Sequence, residues 1–140
     1  MEAVQTTEAV YTPYTAMNKM LTEFIDEAAD VGIWVSVEAQ SLRENHLREE
    51  YCGILRQALD LAADSCGEVM SAPPKYIKLR SSNIQRQALT EIRFSCGETK
   101  QSADERACAL QDRVEKARGY MKLRMGADEG VLRIAIPCRS

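Results

Sequence analysis

Apolar residues after Thr12-Pro13 fall at Tyr14, Met17, Leu21, Phe24, Ala28 and Val31, in steps of three and four. That spacing draws one buried stripe along an α-helix. Thr12 reads as its N-cap and Pro13 as its first helical residue, where a missing N–H costs nothing. Gly32 suits the left-handed position that closes a helix. The period then changes. Ile33-Trp34-Val35-Ser36-Val37 is β-branched and alternating, which predicts a strand over 33–37. Ser41-Leu42-Arg43-Glu44 has the form of a capping box and opens a second helix. Its stripe runs Leu47, Tyr51, Ile54, Ala58, Leu61, and it ends at Gly67. Pro73-Pro74 breaks the chain into a loop, and Tyr76-Ile77-Lys78-Leu79-Arg80 alternates as a strand over 76–80. Ser82-Asn83-Ile84-Gln85 repeats the box pattern and predicts a third helix ending at Gly97. Ser102-Ala103-Asp104-Glu105 opens a fourth, with Ala103, Ala107, Leu110, Val114, Ala117 and Met121 on one side, stopping by Gly126. The pattern leaves 120–125 open between helix and strand. Val131 to Ile136 reads as a strand over 131–136, closed by Pro137. The expected fold is mainly α, in the α+β class. It is a compact bundle of about four amphipathic helices with a small sheet of two or three short strands, in which 33–37 is free to pair with 131–136.

The chain also repeats itself. Residues 54–68 and 84–98 are identical at nine of 15 positions without a gap, including Arg56/Arg86, Gln57/Gln87 and the run Ser65-Cys66-Gly67-Glu68 against Ser95-Cys96-Gly97-Glu98. Unrelated 15-residue segments share roughly one position at average residue usage. The expectation is two related helix ends packed in a pseudo-symmetric core. Two copies are too few for a solenoid.

Length and composition add bounds. The 140 residues are 45% hydrophobic and 28% charged, which suits a single globular domain over 1–140. No apolar run is long enough to span a bilayer, and the first residues lack the basic and apolar regions of a secretory signal. A cytoplasmic location without a membrane partner is expected. The net charge of −3 hides a strong asymmetry. Residues 1–70 carry 13 acids and four bases, and residues 71–140 carry 14 bases and eight acids. A dipolar chain of this kind attracts charged partners or a second copy of itself.

Catalytic signatures are missing. There is one histidine, His46, in a charged stretch, and no second histidine makes a zinc-protease pair with it. The five cysteines are odd in number and contain no C-x-x-C, so neither a disulfide framework nor a zinc site is signalled. No phosphate-binding glycine loop and no nucleophile elbow occurs. No enzyme, no cofactor and no metal site is therefore expected. Two charged surfaces remain as candidates. Lys75, Lys78 and Arg80 lie beside Tyr76, and Arg113, Lys116, Arg118, Lys122 and Arg124 follow in one basic stretch, suited to phosphates or an acidic surface. Glu23, Asp26, Glu27 and Asp30 lie opposite the first helix's apolar stripe and suit a basic partner. The expected function is a small non-catalytic interaction module, an adaptor, regulator or inhibitor, that occupies a charged surface of a larger protein or complex. One form of it is a phage or mobile-element inhibitor of a host nucleic-acid-processing complex. The alternative is a nucleic-acid-binding regulator that uses 75–80 and 113–124.

Overall fold

A computed structural model of the chain describes residues 15–41, 49–67, 75–96, 101–126 and 128–137. The elements run α1 (Thr15–Asp30), β1 (Ile33–Ser41), α2 (Glu49–Gly67), β2 (Lys75–Ile84), β3 (Gln87–Ser95), α3 (Gln101–Lys116), β4 (Tyr120–Met125) and β5 (Glu129–Pro137). The five strands form one mixed sheet in the order β1-β2-β3-β5-β4. The β1 and β2 strands pair in parallel, with α2 as the crossover between them. The β2–β3, β3–β5 and β5–β4 pairs are antiparallel.

The core lies between this sheet and the helices. Met17, Leu21, Phe24 and Ala28 of α1, Tyr51, Ile54, Leu55, Ala58, Leu59, Leu61 and Ala62 of α2, and Leu110 and Val114 of α3 are buried. They meet Ile77, Leu79, Ile92, Phe94, Leu132, Ile134 and Ile136, which alternate along β2, β3 and β5 and face inward. The helices cover one face of the sheet, and the intervening strand residues form the other, open face. The α1 stripe ends at Ala28, because Val31 is 63% exposed. Gly32 closes the helix at φ 79°, in the left-handed region that favours glycine.

The expected helical bundle is thus corrected to an α/β layer, among the described residues three helices on a five-stranded sheet. The third expected helix does not exist. Residues 84–95 lie in the β2–β3 hairpin, which turns at Gln85 with φ 58°. A helix there would bury Glu91 and Arg93 beside Ile92 and Phe94. A strand sends Thr90, Ile92 and Phe94 inward and Glu91 and Arg93 outward. The repeat is therefore not a repeat of helices. Residues 54–67 of the first copy are helix, and residues 87–95 of the second are strand. The fourth helix ends at Lys116, where Arg118 adopts φ 61° and Gly119 follows. Gly119 is required there, since a Cβ would sit 2.6 Å from the Ala135 carbonyl oxygen. Residues 120–125 form β4. The expected pairing of 33–37 with 131–136 also fails. The β1 strand lies at one edge beside β2, and β5 lies between β3 and β4. The Thr12-Pro13 start, most of the box at 41–44, Pro73-Pro74 and His46 lie outside the described residues, and Ser41 ends β1. Among the described residues no helix is long and apolar enough to cross a membrane, which says nothing of β-barrels.

Candidate functional site

Charged side chains bridge the helices on the covered side. Arg56 of α2 donates to Glu27 of α1 at 2.7 Å and to Asp60 one turn on at 3.2 Å, with its guanidinium 5.4 Å from the Phe24 ring centre. Burial pushes the Asp60 carboxyl up and outweighs the pull of Arg56. The α2–α3 seam is held from the other side. Arg106 pairs with Asp64 at 2.5 Å. Arg113 donates to the Gly53 carbonyl at 3.3 Å and to Gln57 Oε1 at 3.0 Å. Arg106 and Arg113 are seven residues apart, so both leave α3 on the side that faces α2.

One end of the layer gathers polar groups from four elements. There α2 ends, β2 begins, β3 ends and β5 begins. The Cys66 thiol donates to the Tyr76 carbonyl at 3.4 Å and lies 3.4 Å from Ser95 Oγ, which also accepts from the Tyr76 N–H at 3.1 Å. The Tyr76 hydroxyl donates to Glu129, and the Cys96 N–H donates to the Asp128 carbonyl at 3.0 Å. Burial, reinforced by the Glu129 hydrogen bond, pushes the Tyr76 phenol up to about 12. Burial likewise pushes the Cys66 thiol up, so it is a neutral packing and hydrogen-bonding group rather than a nucleophile.

The open face of the sheet is ordered in rows by strand register. One row crosses all five strands as Glu38, Arg80, Glu91, Arg133, Lys122. The row beside it reads Ser36, Lys78, Arg93, Val131, Arg124. Arg80 pairs with Glu38 at 3.5 Å. Glu91 accepts from Arg133 at 3.1 Å and from Arg93 at 3.3 Å, and Arg93 reaches Glu129 at 3.4 Å. Burial raises the Glu91 carboxyl, but hydrogen bonds from Arg133 and Arg93 outweigh it and hold the group below the ordinary carboxylate range. A broad depression of about 830 Å³ runs over Glu38, Arg80, Ser82, Leu89, Glu91, Tyr120, Arg133 and Ala135. A smaller hollow of about 140 Å³ lies among Arg93, Lys122, Arg124, Val131 and Arg133.

The structure divides the sequence-predicted basic surface between the two sides. Lys78, Arg80, Lys122 and Arg124 stand on the open face, with Lys78 Nζ 5.4 Å from the Tyr76 ring centre. Lys75 begins β2. Arg113 is engaged with α2, Lys116 ends α3, and Arg118 is exposed in the turn after it. Arg113 and Arg124 do not share a helix face, because the helix stops between them. Glu23, Asp26, Glu27 and Asp30 lie on the exposed side of α1, with Glu27 tied to Arg56. Sequence reasoning missed Arg93, Arg133, Arg106 and Asp64. The alternation in Thr90-Glu91-Ile92-Arg93-Phe94 was the signal that marks Arg93 as outward-facing. Among the described residues no group of three His, Cys, Asp or Glu converges as a metal site.

No family model matches the sequence, and no curated protein is similar to it. Solved structures do share the fold. The histidine kinase domain of the blue-light activated histidine kinase of Erythrobacter litoralis EL346 superposes with a TM-score of 0.65 at 14% identity, over 88% of this chain and 63% of that one. Full-length ShkA in complex with AMPPNP gives 0.66 at 12% identity, over 90% and 30%. The Acinetobacter baumannii histidine kinase AdeS gives 0.59 at 9% identity, over 90% and 65%. The chain thus spans less than two thirds of each of these proteins, and at such identities the likeness is one of fold. It overturns the expected helical, non-catalytic inhibitor or adaptor and the alternative nucleic-acid-binding regulator. The architecture is that of histidine kinase domains, and those proteins are enzymes.

Proposed function

We propose that the chain is a nucleotide-binding module of the histidine kinase type, which holds an adenine nucleotide on the helical side of the sheet along the α2–α3 seam. The observation that carries this reading is the fold shared over nine tenths of the chain with a kinase solved in complex with AMPPNP. The seam has chemistry suited to the ligand. A triphosphate needs cations that present forked donors, and Arg106 and Arg113 leave α3 toward α2. Both are bound to α2 in the structure. A nucleotide would exchange the Asp64 carboxylate on Arg106 for phosphate oxygens, leaving Asp64 to face a magnesium ion. In a reaction of this type the γ-phosphorus forms a bond to an imidazole nitrogen of the acceptor and breaks its bond to the β–γ bridging oxygen, which departs on ADP. The chain's part is to bind and orient the donor. A nucleotide-binding chain works where ATP is, so a cytoplasmic location follows from the reading, and the thiols of Cys52, Cys66, Cys96 and Cys108, which form no disulfide among the described residues, suit a reducing compartment.

Calorimetric titration with AMPPNP and magnesium tests the reading. Saturable binding is expected. Arg106→Ala should weaken it about tenfold, the size of one charge-assisted hydrogen bond of about 1.5 kcal/mol. Arg106 is exposed, and far-ultraviolet circular dichroism should show an unchanged fold. Absence of saturable binding at several times about 1 mM nucleotide would refute the proposal.

A further inference from the structure

We propose that the small hollow on the open face of the sheet is a binding site for a dianionic phosphate group, either free phosphate or a phosphate monoester. Four cations rim it. Arg133 of β5 stands directly opposite Lys122 of β4, and Val131 stands between Arg93 of β3 and Arg124 of β4. All five residues line the same cavity of about 140 Å³, with Val131 as its apolar member. This arrangement is unfavourable without a ligand, since like charges directly opposite across a strand pair destabilise a sheet. Nearby carboxylates relieve it only in part. Glu91 engages Arg133 and Arg93, and Glu129 engages Arg93. Lys122 and Arg124 have no carboxylate partner among the described residues. Four cations against two carboxylates leave the hollow two charges positive. A phosphate monoester carries about −1.5 to −2 near neutral pH, which matches that excess, and a carboxylate side chain carries half of it. Three arginine forks and a lysine are the donor set that phosphate oxygens favour. The site lies across the sheet from the α2–α3 seam, so it goes beyond the nucleotide reading and does not depend on it.

The competing explanation is that bases on the β4 edge only discourage pairing with another sheet. Titration of the ¹⁵N-labelled chain, free of nucleotide and at constant ionic strength, separates the two. Inorganic phosphate and O-phosphoserine are run in parallel arms, with chloride as control. Saturable shifts in the Lys122, Arg124, Val131 and Arg133 amides, with half-saturation below about 10 mM, are expected. Stronger binding of O-phosphoserine assigns the site to esters, and equal or stronger binding of phosphate assigns it to the free ion. Lys122→Glu with Arg124→Glu, both exposed, should weaken binding at least about tenfold. Arg80→Glu, on the same face outside the hollow, should leave it unchanged. Shifts that match chloride and never saturate in both arms, or equal losses in the two variants, would overturn the proposal.

Discussion

Beneath α2, three hydroxyls close a ring inside the core. Tyr51 is 1% exposed, and its hydroxyl lies 3.0 Å from Ser81 Oγ and 2.5 Å from Thr90 Oγ1. Ser81 and Thr90 are themselves 3.0 Å apart. The three hydroxyls hydrogen-bond one another, which lowers the cost of burying them. Tyr51→Phe keeps the aromatic packing and removes one corner. The remaining Ser81–Thr90 pair shares one hydrogen bond, so one buried O–H loses its acceptor. A buried polar group left unsatisfied costs about 1–3 kcal/mol. At this size each kcal/mol moves the melting temperature by roughly 2–4 °C, so a fall of about 2–12 °C is expected. The triple variant Tyr51→Phe, Ser81→Ala, Thr90→Val removes every corner while nearly keeping shape. It should return to within about 1 kcal/mol of the parent, because removing all partners is nearly neutral where removing one is not. Thermal and urea denaturation followed by circular dichroism are the assays, since Trp34 is 60% exposed and reports poorly on the core. A neutral Tyr51→Phe, or a triple variant less stable than the single one, would refute the reasoning.

The Tyr76 phenol ionises near 12 in the folded chain, against about 10 unfolded. A raised tyrosine favours the folded state below pH 10, and that contribution is lost as pH climbs from 10 to 12. Absorbance at tyrosinate wavelengths should include a phenol that titrates near 12, and Glu129→Gln should bring it earlier. The exposed Cys108 should react rapidly with a thiol reagent in the native protein, and the buried Cys66 and Cys96 only on unfolding. Mass spectrometry of the labelled peptides reads the order. Peptides of residues 54–68 and 84–98 should diverge in trifluoroethanol, the first gaining helix by circular dichroism and the second gaining much less, despite nine shared positions.

What could be read from the chain was whatever one element decides locally. The stripe Met17, Leu21, Phe24, Ala28 folds as α1, and the segments 33–37, 76–80 and 131–136 all lie inside strands. Strand order was not local. Nothing near Ile33 or Val131 says that the first belongs at an edge and the second between β3 and β4. Those neighbours are chosen by which apolar faces the helices cover. The candidate sites failed for the same reason. The sequence singles out Lys122 and Arg124, but on a helix Arg124 would join Arg113 and Lys122 would pair with Arg118. Only the β4–β5 register sets Lys122 against Arg133, and only the β3–β5 register brings in Arg93. The α2–α3 seam needs tertiary packing to exist, so Asp64 and Arg106 had no sequence signal at all.

The repeated segment shows where the decision between helix and strand is made. The two copies share both ends and differ at Leu55/Gln85 and throughout the central run, Asp60-Leu61-Ala62-Ala63-Asp64 against Thr90-Glu91-Ile92-Arg93-Phe94. Ala62 and Ala63 favour helix, and Leu61 continues the stripe that buries Ala58 and Leu55. In the second copy Thr, Ile and Phe, residues enriched in strands, alternate with Glu and Arg, which has period two and no buried helical face. The shared Ser-Cys pair is buried in both copies, and Cys66 of the helix lies against Ser95 of the strand. The two copies thus meet across the core, a cysteine of the first against a serine of the second, in different backbone states. Shared residues such as Ala, Leu and Ser occur in the helix of one copy and the strand of the other. The helix signal carried by a shared Ile-x-Arg-Gln-Ala-Leu is outweighed as soon as the five residues after Leu89 set a two-residue period, because only that period buries Ile92 and Phe94 while leaving Glu91 and Arg93 in water.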